Sequence, residues 1–137
     1  MKRTVMVALV FSLFLLGPAA IYASEAVKIS DLTITDGLPI KAGQTKDITF
    51  RFLSNQKPDE VVVKFSAFLP GLMRNVTTTY SSKNGEVKVT ITEKEGVYEI
   101  LAVRALRTPN IPGKVDAAVM IKAGKESNWL EQQVSFD

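Results

Sequence analysis

Between positions 45 and 53 the chain reads TKDITFRFL, with Ile48, Phe50 and Phe52 at every second position and Thr49 and Arg51 between them. Successive side chains of a β-strand point to opposite faces, so this is a strand with one face in a core and the other in water. The same period of two returns at 60–68 (Val61, Val63, Phe65 and Ala67), at 86–92 (Val87, Val89 and Ile91) and at 114–123 (Val115, Ala117, Val119 and Ile121). Residues 76–81, VTTTYS, are rich in β-branched types that favour strands, and 97–106 reads as another strand. Residues 27–35 alternate with a change of phase near Ser30-Asp31, which predicts a first strand carrying a bulge. In the tail, Trp129, Val134 and Phe136 fit a last short strand, while Trp129-Leu130 with Gln133-Val134 fit a short helix; the alternation at 134–136 favours the strand. No helical period and no long repeat runs through the chain after its first two dozen residues. Seven or eight short strands separated by turn signals predict an all-β antiparallel sandwich.

The turn signals assign the connections. Asp36-Gly37-Leu38-Pro39 is a turn, residues 54–59 are a polar loop, and residues 107–113 form a loop with two prolines. Ser82-Lys83-Asn84-Gly85 contains the Asn-Gly pair that favours a two-residue type I′ hairpin, predicting that the fourth and fifth strands pair.

The first 23 residues have a different character. Met1-Lys2-Arg3 is a short basic start, residues 5–16 are almost entirely apolar, and Gly17-Pro18 is followed by small residues up to Ala23-Ser24. That is the order of a secretory signal peptide, with cleavage after Ala23 or, as a second choice, after Ala26. The domains are therefore a leader at 1–23 and a sandwich at 24–137, and the location is secreted or periplasmic. The rival reading is an uncleaved membrane anchor over residues 4–23. With no cysteine in the chain there is neither a lipoprotein attachment site nor a disulfide, so packing alone must hold the domain. Removing Lys2 and Arg3 from the 17 basic residues leaves 15 against 14 acidic ones, which argues against nucleic acid as a partner.

Glu95-Gly96-Val97-Tyr98, with Ile100 two residues on, resembles the tyrosine corner of immunoglobulin-like sandwiches, with Ile100 where antibody domains carry a cysteine. The resemblance implies a structural corner at Gly96 and Tyr98 between strands E and F, the tyrosine hydroxyl bonding back to the main chain. The opening of the domain resembles bacterial adhesion-type modules such as the CARDB family through Asp31-Leu32, Ala42-Gly43-Gln44-Thr45 and Asn55. A second resemblance is to the small exported YtkA-like and FixH-like domains, through Pro70-Gly71-Leu72-Met73, Gly96-Val97-Tyr98 and Pro112-Gly113-Lys114-Val115. It would imply a metal-handling or respiratory-assembly accessory.

The residue types limit the chemistry. With neither histidine nor cysteine, Ser-His-Asp and Cys-His nucleophiles and the usual zinc sites are excluded, and no catalytic residue, metal site or cofactor is expected. After the leader only Met73 and Met120 could offer thioether ligands. Trp129, Tyr80 and Tyr98 make a poor stacking platform for sugars. Two loops stand out. Leu69, Pro70, Leu72 and Met73 make an apolar C–D connection, expected at the Tyr98 end, that either meets a partner or folds over the core. Arg107, Pro109, Asn110 and Pro112 form an F–G loop stiffened by proline, which lowers the entropy lost on binding. The function these features favour is an exported, non-enzymatic interaction module binding a secreted or envelope protein, or another envelope component. A small enzyme inhibitor or carbohydrate-binding accessory is a further alternative.

Overall fold

The structure is a computed structural model that describes residues 26–34, 40–69, 73–108 and 113–137. The leader, the turn at 35–39, and Pro70, Leu72, Pro109, Asn110 and Pro112 lie outside the described residues. Eight strands run in chain order: β1 (Ile29–Ile34), β2 (Thr45–Ser54), β3 (Glu60–Leu69), β4 (Arg74–Ser81), β5 (Lys88–Lys94), β6 (Val97–Arg107), β7 (Gly113–Lys122) and β8 (Leu130–Phe136). A single 3-10 turn, Ser82–Asn84, stands between β4 and β5. The strands make two antiparallel sheets, β1-β2-β6-β5 and β4-β3-β7-β8.

The alternation read from the sequence is largely the alternation of burial, except in β3 and β7, where Val62, Ala118 and Met120 are buried on the outer face as well. Ile48, Phe50 and Phe52 of β2 face Val61, Val63 and Phe65 of β3 and Val115, Ala117, Val119 and Ile121 of β7, and all are buried. Phe50 and Phe65 meet across the two sheets, their ring centroids 5.8 Å apart. Burying each such side chain contributes about 1.5–3 kcal/mol, so this layer replaces any disulfide. The bulge in β1 is present: the register slips between Ser30 and Thr33, and Asp31 takes φ 58°. Ahead of it, the Asn55 side chain accepts from the Lys28 N–H and donates to the Ala26 carbonyl, fastening the start of the domain to β2. The tail is a strand, β8, paired with β7 from Leu130 to Phe136.

In immunoglobulin terms the order is A-B-E-D in one sheet and C′-C-F-G in the other. This corrects three sequence expectations. β4 is a C′ strand beside β3, so β4 and β5 lie in different sheets and Asn84-Gly85 closes no hairpin. Gly85, at φ 74°, instead ends the 3-10 turn, while Ser81 caps its start by accepting from the Lys83 N–H. The chain crosses between sheets there. Conversely, Glu95-Gly96 is not a corner between sheets. It joins β5 and β6 of one sheet as a two-residue hairpin, with Lys94 opposite Val97 and φ values of 54° and 81°. Both values are positive, as a type I′ turn requires. Tyr98 is therefore on strand E, half-buried opposite Ser54 and Glu93, and its hydroxyl bonds to no described residue. The inserted C′ strand shifts every later letter by one, making residues 69–73 the C–C′ connection and residues 107–113 the E–F connection.

Candidate functional site

The two loops singled out in the sequence leave the same end of the sandwich. β3 ends at Leu69 and β4 begins at Arg74, which pair; β6 ends at Arg107, opposite Thr45; β7 begins at Gly113, opposite Phe136. This upper end is opposite the Glu95-Gly96 hairpin, so the apolar connection and Tyr98 do not share an end as the F-strand assignment implied.

Of the apolar connection, the described side chain is Met73, which is 78% exposed and held at φ 53°. A left-handed conformation is uncommon away from glycine, asparagine and aspartate. Met73 does not plug the core. Phe68, one residue beyond the Val61, Val63, Phe65 and Ala67 set and so on the opposite face of β3, is 52% exposed. It pairs with Asn75 across the β3–β4 ladder. Arg74 and Arg107 are exposed at the same end. Two large apolar side chains and two guanidinium groups are thus exposed at one end of the sandwich.

The rim is anchored beneath by Thr108, which is 2% exposed. Its N–H donates to the Gln44 carbonyl at 3.0 Å, its hydroxyl donates to the Lys41 carbonyl at 2.7 Å, and the Gln44 N–H donates back to it at 3.2 Å. The C-terminus closes the same end: Asp137 donates its N–H to the Ile40 carbonyl, and its own carbonyl accepts from Ala42. The E–F connection therefore starts from a fixed point. In the sequence Thr108 has only its place before the two-proline loop; its burial and its bonds to Lys41 and Gln44 come from the fold.

The other candidates do not converge. Met120 is buried on the outer face of β7 opposite Val62, at the far end of that sheet from Met73. Trp129 lies under the Lys64 ammonium, 4.2 Å from Nζ to the ring centroid, and Tyr80 lies under Arg104, so the two rings form no shared platform. Among the described residues no three His, Cys, Asp or Glu side chains gather as a metal site, and no helix is long and apolar enough to cross a membrane. A second surface was not foreseen. On the outer face of the first sheet a shallow hollow of about 520 Å³ is lined by Arg51, Leu53, Thr92, Lys94, Val97 and Glu99, with the Arg51 guanidinium ion-paired to Glu99 on its floor.

The sequence matches no protein family and no curated protein. Among solved structures, chitinase ChiW from Paenibacillus sp. str. FPU-7, a bacterial cell-surface-expressed multi-modular enzyme, matches 82% of this chain at 10% identity and TM-score 0.47, and the matched part spans 8% of that chain. A conjugative transposon lipoprotein from Bacteroides eggerthii DSM 20697 matches over 81% of this chain and 98% of that one, at 11% identity and TM-score 0.30. Likenesses this distant carry no functional argument.

Proposed function

We propose that the protein is an exported, non-enzymatic interaction module that binds a protein or cell-envelope partner through the upper end of its sandwich. The observation that supports this reading is the exposure of Phe68 and Met73 at the β3–β4 connection, with Arg74 and Arg107 exposed at the same end. Aromatic side chains, methionine and arginine are the types enriched where protein surfaces meet. Thr108 holds the base of the neighbouring loop in place, which lowers the ordering cost of binding. The leader-like start of the chain supports export, and the resemblance to CARDB-type adhesion modules fits the same role.

The test is affinity capture from envelope extract with the wild type beside a Phe68→Asp, Met73→Asp double variant. Melting curves and circular dichroism of both are recorded in parallel. Both side chains are exposed, so the variant should fold. A partner held by the wild type and lost from the folded variant is the expected result. Capture that is indifferent to the substitutions would move the site elsewhere, and a wild type that retains nothing would remove the reading.

A further inference from the structure

A sandwich of two open sheets has four edges, and natural β proteins protect theirs with bulges, charges, prolines or a covering segment. Three edges here follow that rule. β1 is six residues long and bulged at Asp31. β5 carries Lys88, Glu93 and Lys94 within seven residues. β8 carries Glu131, and its upper end is capped by Ile40, which bridges to Phe136. β4 is the exception. It runs eight residues from Arg74 to Ser81, and its register with β3 is unbroken from Leu69↔Arg74 to Val62↔Ser81. It has no bulge, no proline and, beyond Arg74, no charge. Residues 77–79, three consecutive threonines, are exposed.

The flank beside this edge is also open. A cleft of about 140 Å³ enters between the sheets there, lined by Phe65, Ala67, Val76, Thr78, Leu106 and, at its charged end, Arg107. Val76 and Thr78 belong to β4 itself.

We infer that β4 is a self-association edge, on which a second copy of this chain lays its own β4 antiparallel to make a continuous eight-stranded sheet across a two-fold axis. The occupant follows from the strand's own sequence. In a two-fold antiparallel pair the residue on the axis meets itself and its neighbours meet in reciprocal order. With the axis at Thr78, Thr77 meets Thr79, Val76 meets Tyr80 and Asn75 meets Ser81. Threonine opposite threonine and aromatic opposite β-branched are favourable cross-strand pairs, and no like charges face each other. The same operation on β5 about Ile91 sets Lys88 against Lys94. Main-chain hydrogen bonds supply the affinity, as in other strand additions, and the second copy closes the cleft beside Val76 and Thr78. This inference is independent of the rim at Phe68 and Met73.

The chain has no cysteine, which makes the test direct. Thr77→Cys, Thr78→Cys and Thr79→Cys are made singly in the full chain and recovered from an exporting host. Each is oxidised beside a Thr90→Cys control on the β5 edge, and the wild type is followed by sedimentation over a concentration series. The expected result is a wild type that shifts from monomer to dimer as concentration rises, with disulfide-linked dimer from the one threonine position that lies on the axis and none from Thr90→Cys. A Thr77→Lys, Thr79→Lys variant with unchanged circular dichroism should sediment as monomer. A wild type that stays monomeric at every concentration overturns the inference. So does a dimer in which no β4 cysteine cross-links more than the control, because its contact then lies elsewhere or its second strand comes from another protein.

Discussion

The guanidinium carbon of Arg104 sits 3.8 Å from the centroid of the Tyr80 ring. Arg104 shares a face of β6 with Ile100, Ala102 and Leu106, all buried, so it points into the sandwich from the position where the alternation calls for an apolar residue. Its Nη1 donates to the Glu86 carbonyl at 3.0 Å, while its Nε is buried with no hydrogen-bond partner among the described residues. Tyr80 in turn meets Phe65 edge-on, at 6.2 Å between centroids. The pair fills the flank between β4 and β6 below the cleft at Val76 and Thr78 and ties the crossing from β4 to β5 to the core.

Substitution should separate the stem of Arg104 from its charge. Arg104→Ala loses the ring contact, the bond to Glu86 and the packing of the stem, and should cost about 1–3 kcal/mol. Arg104→Met keeps the packing and removes the unpaired Nε, and should fall within about 1 kcal/mol of wild type. Urea denaturation of the two variants is the measurement. Equal losses would show that the guanidinium, and not the stem, holds the flank.

Glu95 occupies a left-handed position at φ 54° in the β5–β6 hairpin, where asparagine is favoured. Glu95→Asn should stabilise the domain by about 0.5–1 kcal/mol through backbone preference alone. Gly85→Ala should do the opposite. Nothing lies within 4 Å of the added Cβ, so its cost is the conformational one of φ 74°, about 1–2 kcal/mol. Thermal melts read both, and a melting temperature unmoved by either would count against the turn geometry.

The Arg51–Glu99 pair joins β2 to β6 on the outer face of the first sheet, with side chains 57% and 35% exposed. Such pairs contribute about 0–1 kcal/mol and are screened by salt. Arg51→Ala should therefore change stability only slightly, and the difference should shrink further in molar salt. A large, salt-independent loss would show that the hollow above the pair depends on Arg51 for its shape.

Phe50 is fully buried against Phe65 in a domain with no disulfide to limit its unfolded state. Phe50→Ala should cost about 3–5 kcal/mol. That is a large share of the total for a domain of this size. A folded variant with near-normal denaturant midpoint would mean the opposing sheets collapse to fill the gap.

The site was only partly legible. Met73 is exposed, but the lettering drawn from Tyr98 set the two loops at opposite ends of the sandwich, and only the insertion of β4 as C′ brings them to the same end. Phe68 was overlooked because it shares the outer face of β3 with Val62, Lys64 and Ser66, and alternation does not say which apolar residue of that face is covered: Val62 is buried and Phe68 is exposed. Thr108 looked like ordinary loop sequence. Its burial depends on Lys41 and Gln44, more than sixty residues away.

The sequence by itself determined the strands, which face of each is apolar, the bulge at Asp31 and the absence of any covalent staple. These are local matters: side-chain direction alternates with every residue, and hydrophobic patterning reports it directly. Only the tertiary structure decided how the strands were shared between sheets. Asn84-Gly85 and Glu95-Gly96 each supply residues able to take positive φ, and a positive φ serves the end of a 3-10 turn as well as the centre of a hairpin. The turn residues set the backbone angle but not the pairing. Pairing was settled by which strands could bury their apolar faces together, and that placed β4 beside β3 and left its far edge unpaired among the described residues.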